Sequence, residues 1–147
     1  AIINNFTFAK AKFTSDYSTT QYQSTVYNAS AKVRGNDIPL VPNISFDSRI
    51  HYNIYEYLKV LTSINYQNGM RMENDEENFQ NTKIPSYLLV NLEIKSEFDQ
   101  YFSSLKFSNL LDKKYYNYAV SSSNTVGSYN AYPEPGREFM LTFGFKY

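Results

Sequence analysis

The 147-residue sequence predicts an all-β chain: about six long antiparallel strands of the kind that wall a transmembrane β-barrel. Three observations carry this. The first is strict alternation. In REFMLTFGFKY, residues 137 to 147, Phe139, Leu141, Phe143, Phe145 and Tyr147 hold every second position. Glu138, Met140, Thr142, Gly144 and Lys146 fill the gaps, so a strand here has one apolar and one mostly polar face. The second is strand length, close to the 9 to 11 residues that a tilted crossing needs and beyond the five or six typical of soluble sheets. The third is the order of connections, which strictly alternate between short and long. Short turns at one end and long loops at the other are usual in outer-membrane barrels, periplasmic and extracellular respectively. A soluble sandwich also satisfies the alternation, because a protein core and a lipid bilayer both cover an apolar face.

In chain order, residues 5 to 15 (NFTFAKAKFTS) are strand-like in neither clean register, which suggests a bulge near Phe8 and Ala9. Residues 44 to 54 align Ile44, Phe46, Ile50, Tyr52 and Ile54 against a wholly polar row of Asp47, Arg49, His51 and Asn53. Residues 57 to 67 align Leu58, Val60, Thr62, Ile64 and Tyr66, with Lys59, Ser63 and Asn65 across from them. Residues 86 to 98 set Leu88, Val90, Leu92 and Ile94 against Asn91, Glu93 and Lys95, and residues 100 to 108 align Tyr101, Ser103, Leu105 and Phe107. Tight connections fall near Tyr55 and Glu56 and near Asp99 and Gln100; long ones cover about residues 16 to 43, 69 to 85 and 109 to 136. With the short turns periplasmic, Tyr52, Tyr55, Tyr57, Tyr101, Phe102 and Tyr147 gather at one rim as an aromatic girdle.

Composition narrows the function. Lys plus Arg and Asp plus Glu are 14 each, and a balanced chain lacks the basic footprint of a nucleic-acid binder. Cys is absent, so thiolate metal sites, disulfides and Cys nucleophiles are excluded. No apolar run approaches the roughly 20 residues of a spanning helix, a test that a barrel escapes because only alternate residues face lipid. AIINNFTFAK carries no signal peptide, and its abrupt strand-like start reads as a truncated or mature piece.

Catalytic and metal chemistry find little support. His51 is the one histidine; it shares a face with Asp47 and Arg49, a row that either grips something in a lumen or merely fills it. One His without further ligands builds no zinc site, and no positioned serine completes a nucleophile. RMENDEEN clusters Glu73, Asp75, Glu76 and Glu77 without the spacing or central glycine of a calcium loop, and reads as a solvated loop. The Tyr-, Ser- and Asn-rich residues 113 to 138 suit adaptable ligand contacts and suit any exposed loop equally well. The sequence gives no reason to expect an enzyme or a cofactor.

Three stretches together resemble one family, the TonB-dependent outer-membrane receptors. GNDIPLVPNISFDSRIHYNI, from Gly35, is similar to the segment in which Gly, Ile-Pro and a second Pro (here Pro39 and Pro42) lead into a strand. SNLLDKKYYNYA resembles the Asn-Leu-x-Asp-Lys-x-Tyr element near the C-terminus, through Asn109, Leu110, Asp112 and Tyr115. YPEPGREFMLTFGFKY resembles the Pro-Gly-Arg strand, through Pro135, Gly136 and Arg137, with Tyr147 as terminal aromatic. Each motif also has a plain physical reading. Prolines end a loop as a strand begins, Asn and Asp satisfy freed backbone groups, and Pro-Gly makes a turn.

The resemblance implies that residues 1–147 are the C-terminal portion of a receptor β-barrel domain, with the plug and earlier strands absent, because such barrels have 22 strands. It implies active uptake of a scarce nutrient such as an iron-siderophore across the outer membrane of a Gram-negative bacterium. The implied partners are outer-membrane lipid, the TonB complex through the absent plug, the barrel-assembly machinery through the C-terminal strand, and a small nutrient ligand. The rival readings are a passive porin-like barrel and a soluble, Tyr-rich carbohydrate-binding β-sandwich. The chain is expected to end where the membrane does, with Tyr147 at the periplasmic headgroups.

Overall fold

A computed structural model describes residues 1–21, 27–122, 125 and 127–146, with the backbone alone for 17–21 and 27–31. Tyr147 therefore lies outside the described residues. The strands are β1 (Ile2–Phe8), β2 (Tyr17–Gln21), β3 (Tyr27–Ala31), β4 (Ile44–Tyr55), β5 (Leu58–Gln67), β6 (Tyr87–Phe98), β7 (Tyr101–Ser108), β8 (Tyr118–Ser121), β9 (Tyr129–Tyr132) and β10 (Glu138–Phe145). Six of them form one antiparallel sheet in the order β1-β4-β5-β6-β7-β10. The other four make two hairpins, β2 with β3 and β8 with β9, inside the first and third long loops. Among the described residues no helix is long and apolar enough to cross a membrane.

The alternation translates directly into faces, because cross-strand partners point the same way. One row runs Tyr52, Val60, Ile94, Leu105 and Leu141 across five strands; the next runs Ile2, Ile50, Thr62, Leu92, Phe107 and Phe139. Among the described residues no second sheet covers this apolar face, and Phe139 is 79% exposed and Phe143 73%. That removes the sandwich, which needs a second sheet stacked on the first. Asn4 and Ser48 interrupt the face but sit directly opposite one another, and the Ser48 hydroxyl donates to Asn4 Oδ1 at 2.7 Å.

Two expectations fail locally. β1 does not run through residues 5 to 15 with a bulge. It pairs cleanly from Ile2 to Phe8, and the chain leaves the sheet at Ala9, whose N–H donates to Asn43 O at 3.0 Å. The irregularity lies instead between Asn53 and Tyr55, where the two-residue turn at Glu56 and Tyr57 closes the β4–β5 hairpin. Phe102 also leaves the aromatic rim: it falls on the polar face opposite Gly144, where its ring covers the space a Cβ would need. Among the described residues, an aromatic group does assemble at the short-turn end, with Tyr55 stacked on Tyr57 at 5.3 Å, Tyr57 edge-on to Phe98 at 6.4 Å and Tyr101 stacked on Phe143 at 6.4 Å.

The chain's buried core lies among the long loops, outside the sheet. Met70, Met72, Ile84 and Ala119 are buried together, with Leu40, Tyr116 and Ala131 packed against them. All three long loops contribute, so they form a single layer capping one end of the strands.

Candidate functional site

The polar face is built from cross-strand rows. Asp47 pairs across with Asn65, Arg49 with Ser63, and Ser63 with Asn91. These side chains are joined laterally. Arg49 Nε forms an ion pair with Asp47 Oδ1 at 3.0 Å, and Asn65 Nδ2 donates to Asp47 Oδ2. Asn91 Nδ2 is shared between Ser63 Oγ at 2.9 Å and Asn65 Oδ1 at 3.3 Å, while Asn91 Oδ1 accepts the Asn109 N–H at 2.9 Å. From Asn109 to Asp47 every amide donates in the same direction, toward the one carboxylate, an arrangement in which each bond polarises the next. The ladder spans β4, β5 and β6 and ends where β7 becomes loop.

Arg49 and His51 line a concavity of about 400 Å³ on this face, together with Ser63, Asn91, Glu93 and Lys106. Asn53 continues the row one step nearer the short turns, opposite Lys59. Glu93 pairs with Lys95 at 3.4 Å and Arg49 with Asp47 at 3.0 Å, so most of the charge around the hollow is balanced on the polar face itself. Such a surface offers hydrogen bonds and charge, with no arranged nucleophile or ligand set. No cluster of three metal-binding side chains occurs among the described residues.

At the loop end, two sequence motifs meet. Asn109 and Asp112 both adopt left-handed backbone, φ 49° and 50°, which short polar residues tolerate best. Asn109 is buried; its amide nitrogen donates to Lys113 O at 2.9 Å and Pro135 O at 3.3 Å, and its Oδ1 accepts the Lys113 N–H at 2.9 Å. Asp112 Oδ1 accepts the Arg137 N–H at 2.9 Å and pairs with Lys114 at 3.3 Å. The Arg137 N–H first, and Lys114 second, hold the Asp112 carboxyl below its ordinary range. A side chain at Gly136 would press on that same oxygen. Asn-Leu-x-Asp and Pro-Gly-Arg are thus two halves of a clasp between the exit of β7 and the start of β10. Leu110 belongs to it through its N–H, which donates to Val90 O at 2.8 Å. Tyr115 O accepts the Glu134 N–H at 3.0 Å, and the Tyr115 ring packs on Tyr87 at 4.7 Å. Burial first, then Glu134 and Glu138, raise the Tyr115 hydroxyl.

Pro39 sets up a turn whose next residue, Leu40, is left-handed at φ 59°, and the Leu40 N–H donates to Arg71 O at 3.0 Å. Pro42 needs no ladder donor where the loop rejoins β4. RMENDEEN is solvated only in part: Glu77 is exposed, whereas Asp75 and Glu73 are engaged. Asp75 is 2% exposed; it pairs with Arg71 at 3.0 Å and accepts the Gln80 N–H at 2.9 Å. Glu73 accepts the Tyr118 hydroxyl, and its backbone bridges to β8 through Ala119 and Ser121. The charges read as solvated because sequence periodicity carries no sign of their partners, Arg71 and Gln80 in the same loop for Asp75 and Tyr118 in the third loop for Glu73.

A lone antiparallel sheet with a bare apolar face, a laterally bonded polar face and an aromatic rim is a segment of β-barrel wall. Solved receptors have the same fold. The chain is similar to the siderophore receptor PiuA from Acinetobacter baumannii, with TM-score 0.80 and 22% identity over 99% of this chain and 19% of that one. It is similar to the ferric-catecholate import receptor Fiu from E. coli K12, with TM-score 0.68 and 17% identity over 97% and 18%. A third likeness is to the ferric yersiniabactin uptake receptor FyuA from Yersinia pestis, with TM-score 0.57 and 19% identity over 82% and 19%. The chain thus spans about a fifth of the length of these receptors. These neighbours are transport receptors, not enzymes. No family model and no curated protein sequence matches the chain.

Proposed function

We propose that residues 1–147 are the C-terminal portion of the barrel domain of an outer-membrane siderophore receptor of the TonB-dependent kind, whose plug and earlier strands lie elsewhere in the protein. One observation carries most of the weight: a sheet with an uncovered apolar face that follows the wall of PiuA over 99% of its length. In this reading Leu58, Val60, Ile64 and Tyr66 meet lipid, and Asp47, Arg49, His51 and Asn53 face the lumen. The clasp and the long loops lie outside the cell, and Tyr52, Tyr55, Tyr57 and Tyr101 stand at the periplasmic headgroups. In this reading β10 is the strand that the barrel-assembly machinery reads. The receptor takes up an iron-siderophore, energised through TonB; no cofactor and no catalytic residue is assigned.

Siderophore-dependent iron uptake by cells expressing the complete receptor tests this. Uptake is expected to vanish in a strain lacking TonB. Undiminished uptake in that strain would favour a passive, porin-like barrel. The isolated 147-residue chain is expected to aggregate without detergent, because both edge strands carry unpaired backbone groups. A monomer that unfolds cooperatively in plain buffer would contradict the membrane assignment.

A further inference from the structure

We propose that the outer edge of the wall carries a site for one anionic membrane lipid, with its phosphate at Lys113 and its acyl chains along Tyr66, Leu88 and Leu111. The proposal rests on the reading that the apolar face meets the bilayer, and adds to it one lipid chemistry at one place. A concavity of about 300 Å³ opens at the long-loop end, lined by these residues with Ser86 and Tyr87. Its floor is apolar: Tyr66 and Leu88 are direct cross-strand partners, and Leu88 is 41% and Leu111 57% exposed.

The cation above this floor is held in place. Asn109 grips the Lys113 backbone at both its N–H and its carbonyl, so Lys113 belongs to the clasp and does not ride on a swinging loop. Its ammonium has no ion-pair partner among the described residues, whereas the adjacent Lys114 is paired with Asp112. The Ser86 and Tyr66 hydroxyls in the same hollow also lack partners among the described residues, and both can donate to a phosphate.

The height of the site fits a headgroup. From Leu88 to Phe98 at the aromatic rim, β6 advances ten residues, roughly 33 Å along the strand. At the usual 35–45° tilt this is about 23–27 Å of vertical rise, close to the roughly 25 Å apolar band of an outer-membrane barrel. With Phe98 at the inner boundary, Leu88 marks the outer one, and Lys113 above it stands at the level of lipid phosphates. A lysine snorkelling from any strand end would share the height. It would not share the hollow beneath, the two free hydroxyls or the fixed backbone.

Native mass spectrometry of the complete receptor, incubated in detergent with the phosphorylated glycolipid lipid A, tests the site. One retained lipid is expected for the parent protein. Lys113→Gln should lower occupancy roughly tenfold or more, the scale of a lost charge-assisted hydrogen bond. Leu111→Asp should lower it too, and Lys114→Gln should not. Equal occupancy in the parent and Lys113→Gln overturns the proposal, as does displacement by millimolar inorganic phosphate, which would mark a plain anion site. Flotation with phosphatidylcholine vesicles separates the two readings. If both proteins insert and bind lipid A equally, this site falls and the lipid-facing wall stands. If neither inserts, the wall assignment fails and takes the site with it.

Discussion

In the loop layer Met72 and Ile84 are each 1% exposed, whereas in the wall Phe139 is 79% exposed and Leu141 71%. The same residue classes thus meet two different surroundings within one chain. The cap follows the rules of a water-soluble protein: apolar side chains inside, and buried charges paired. Asp75 with Arg71 and Glu73 with Tyr118 are its polar joints. The wall inverts this, with its polar residues bonded to one another on one face and its apolar residues bare on the other. Stability in the cap should therefore depend on internal packing, and stability in the wall on the solvent it is given.

The sharpest way to break this contrast is to unpair the cap. Asp75→Ala leaves the largely buried Arg71 guanidinium without its carboxylate and is expected to cost about 3–5 kcal/mol. The loss should appear in hydrogen exchange of residues 68 to 86 and 109 to 137 while amides of the wall keep their protection; uniform loss across both regions would mean they are one cooperative unit. Next in size is Ile64→Arg, expected to cost roughly 2–4 kcal/mol in lipid vesicles if it faces the bilayer near mid-depth. Ser63→Arg, one residue away on the other face, should cost far less, and equal tolerance would erase the distinction between faces. Gly144→Ala drives a methyl into the Phe102 ring. It is expected to cost about 1–3 kcal/mol as overpacking; in denaturation titrations, Phe102→Ala in the same background should recover part of that loss.

The smallest effect is a pH window. Burial first, then the hydrogen bond with Tyr129, push the Tyr116 hydroxyl up to about 12. A folded-state value above the ordinary one near 10 means that the contribution of the neutral phenol is complete below pH 10 and is lost as pH rises toward 12. Limited proteolysis should find the loop layer loosening in that window in the parent and less so in Tyr116→Phe. Identical profiles would detach Tyr116 from the cap's stability.

Much of the wall was legible because long strands repeat their pattern. The alternation placed strands over residues 44 to 54 and 86 to 98, and the structure has them at Ile44–Tyr55 and Tyr87–Phe98. β1 was misplaced because Asn4 breaks its apolar row, and its partner Ser48 lies on another strand. The polar row Asp47, Arg49, His51 and Asn53 was visible as a face, but its bonds were not. Those to Asn65 and onward to Asn91 depend on register, which no single strand encodes. The cap was the least legible region. β8 and β9 have four residues each, too few to repeat a pattern, and the partners of Glu73 and Asp75 follow from how the loops fold rather than from any repeat.

The clasp has a further consequence, for how such a protein can change over evolutionary time. Asn109 and Asp112 fasten the exit of β7 to Pro135 and Arg137, so the third long loop is closed at its neck whatever lies between. Lengthening a chain whose ends are already pinned is cheap, on the order of 0.6 kcal/mol per doubling of loop length. A longer third loop is therefore expected to leave the β7–β10 register below fixed. The neck thus uncouples the length of the third loop from the alignment of the wall beneath it.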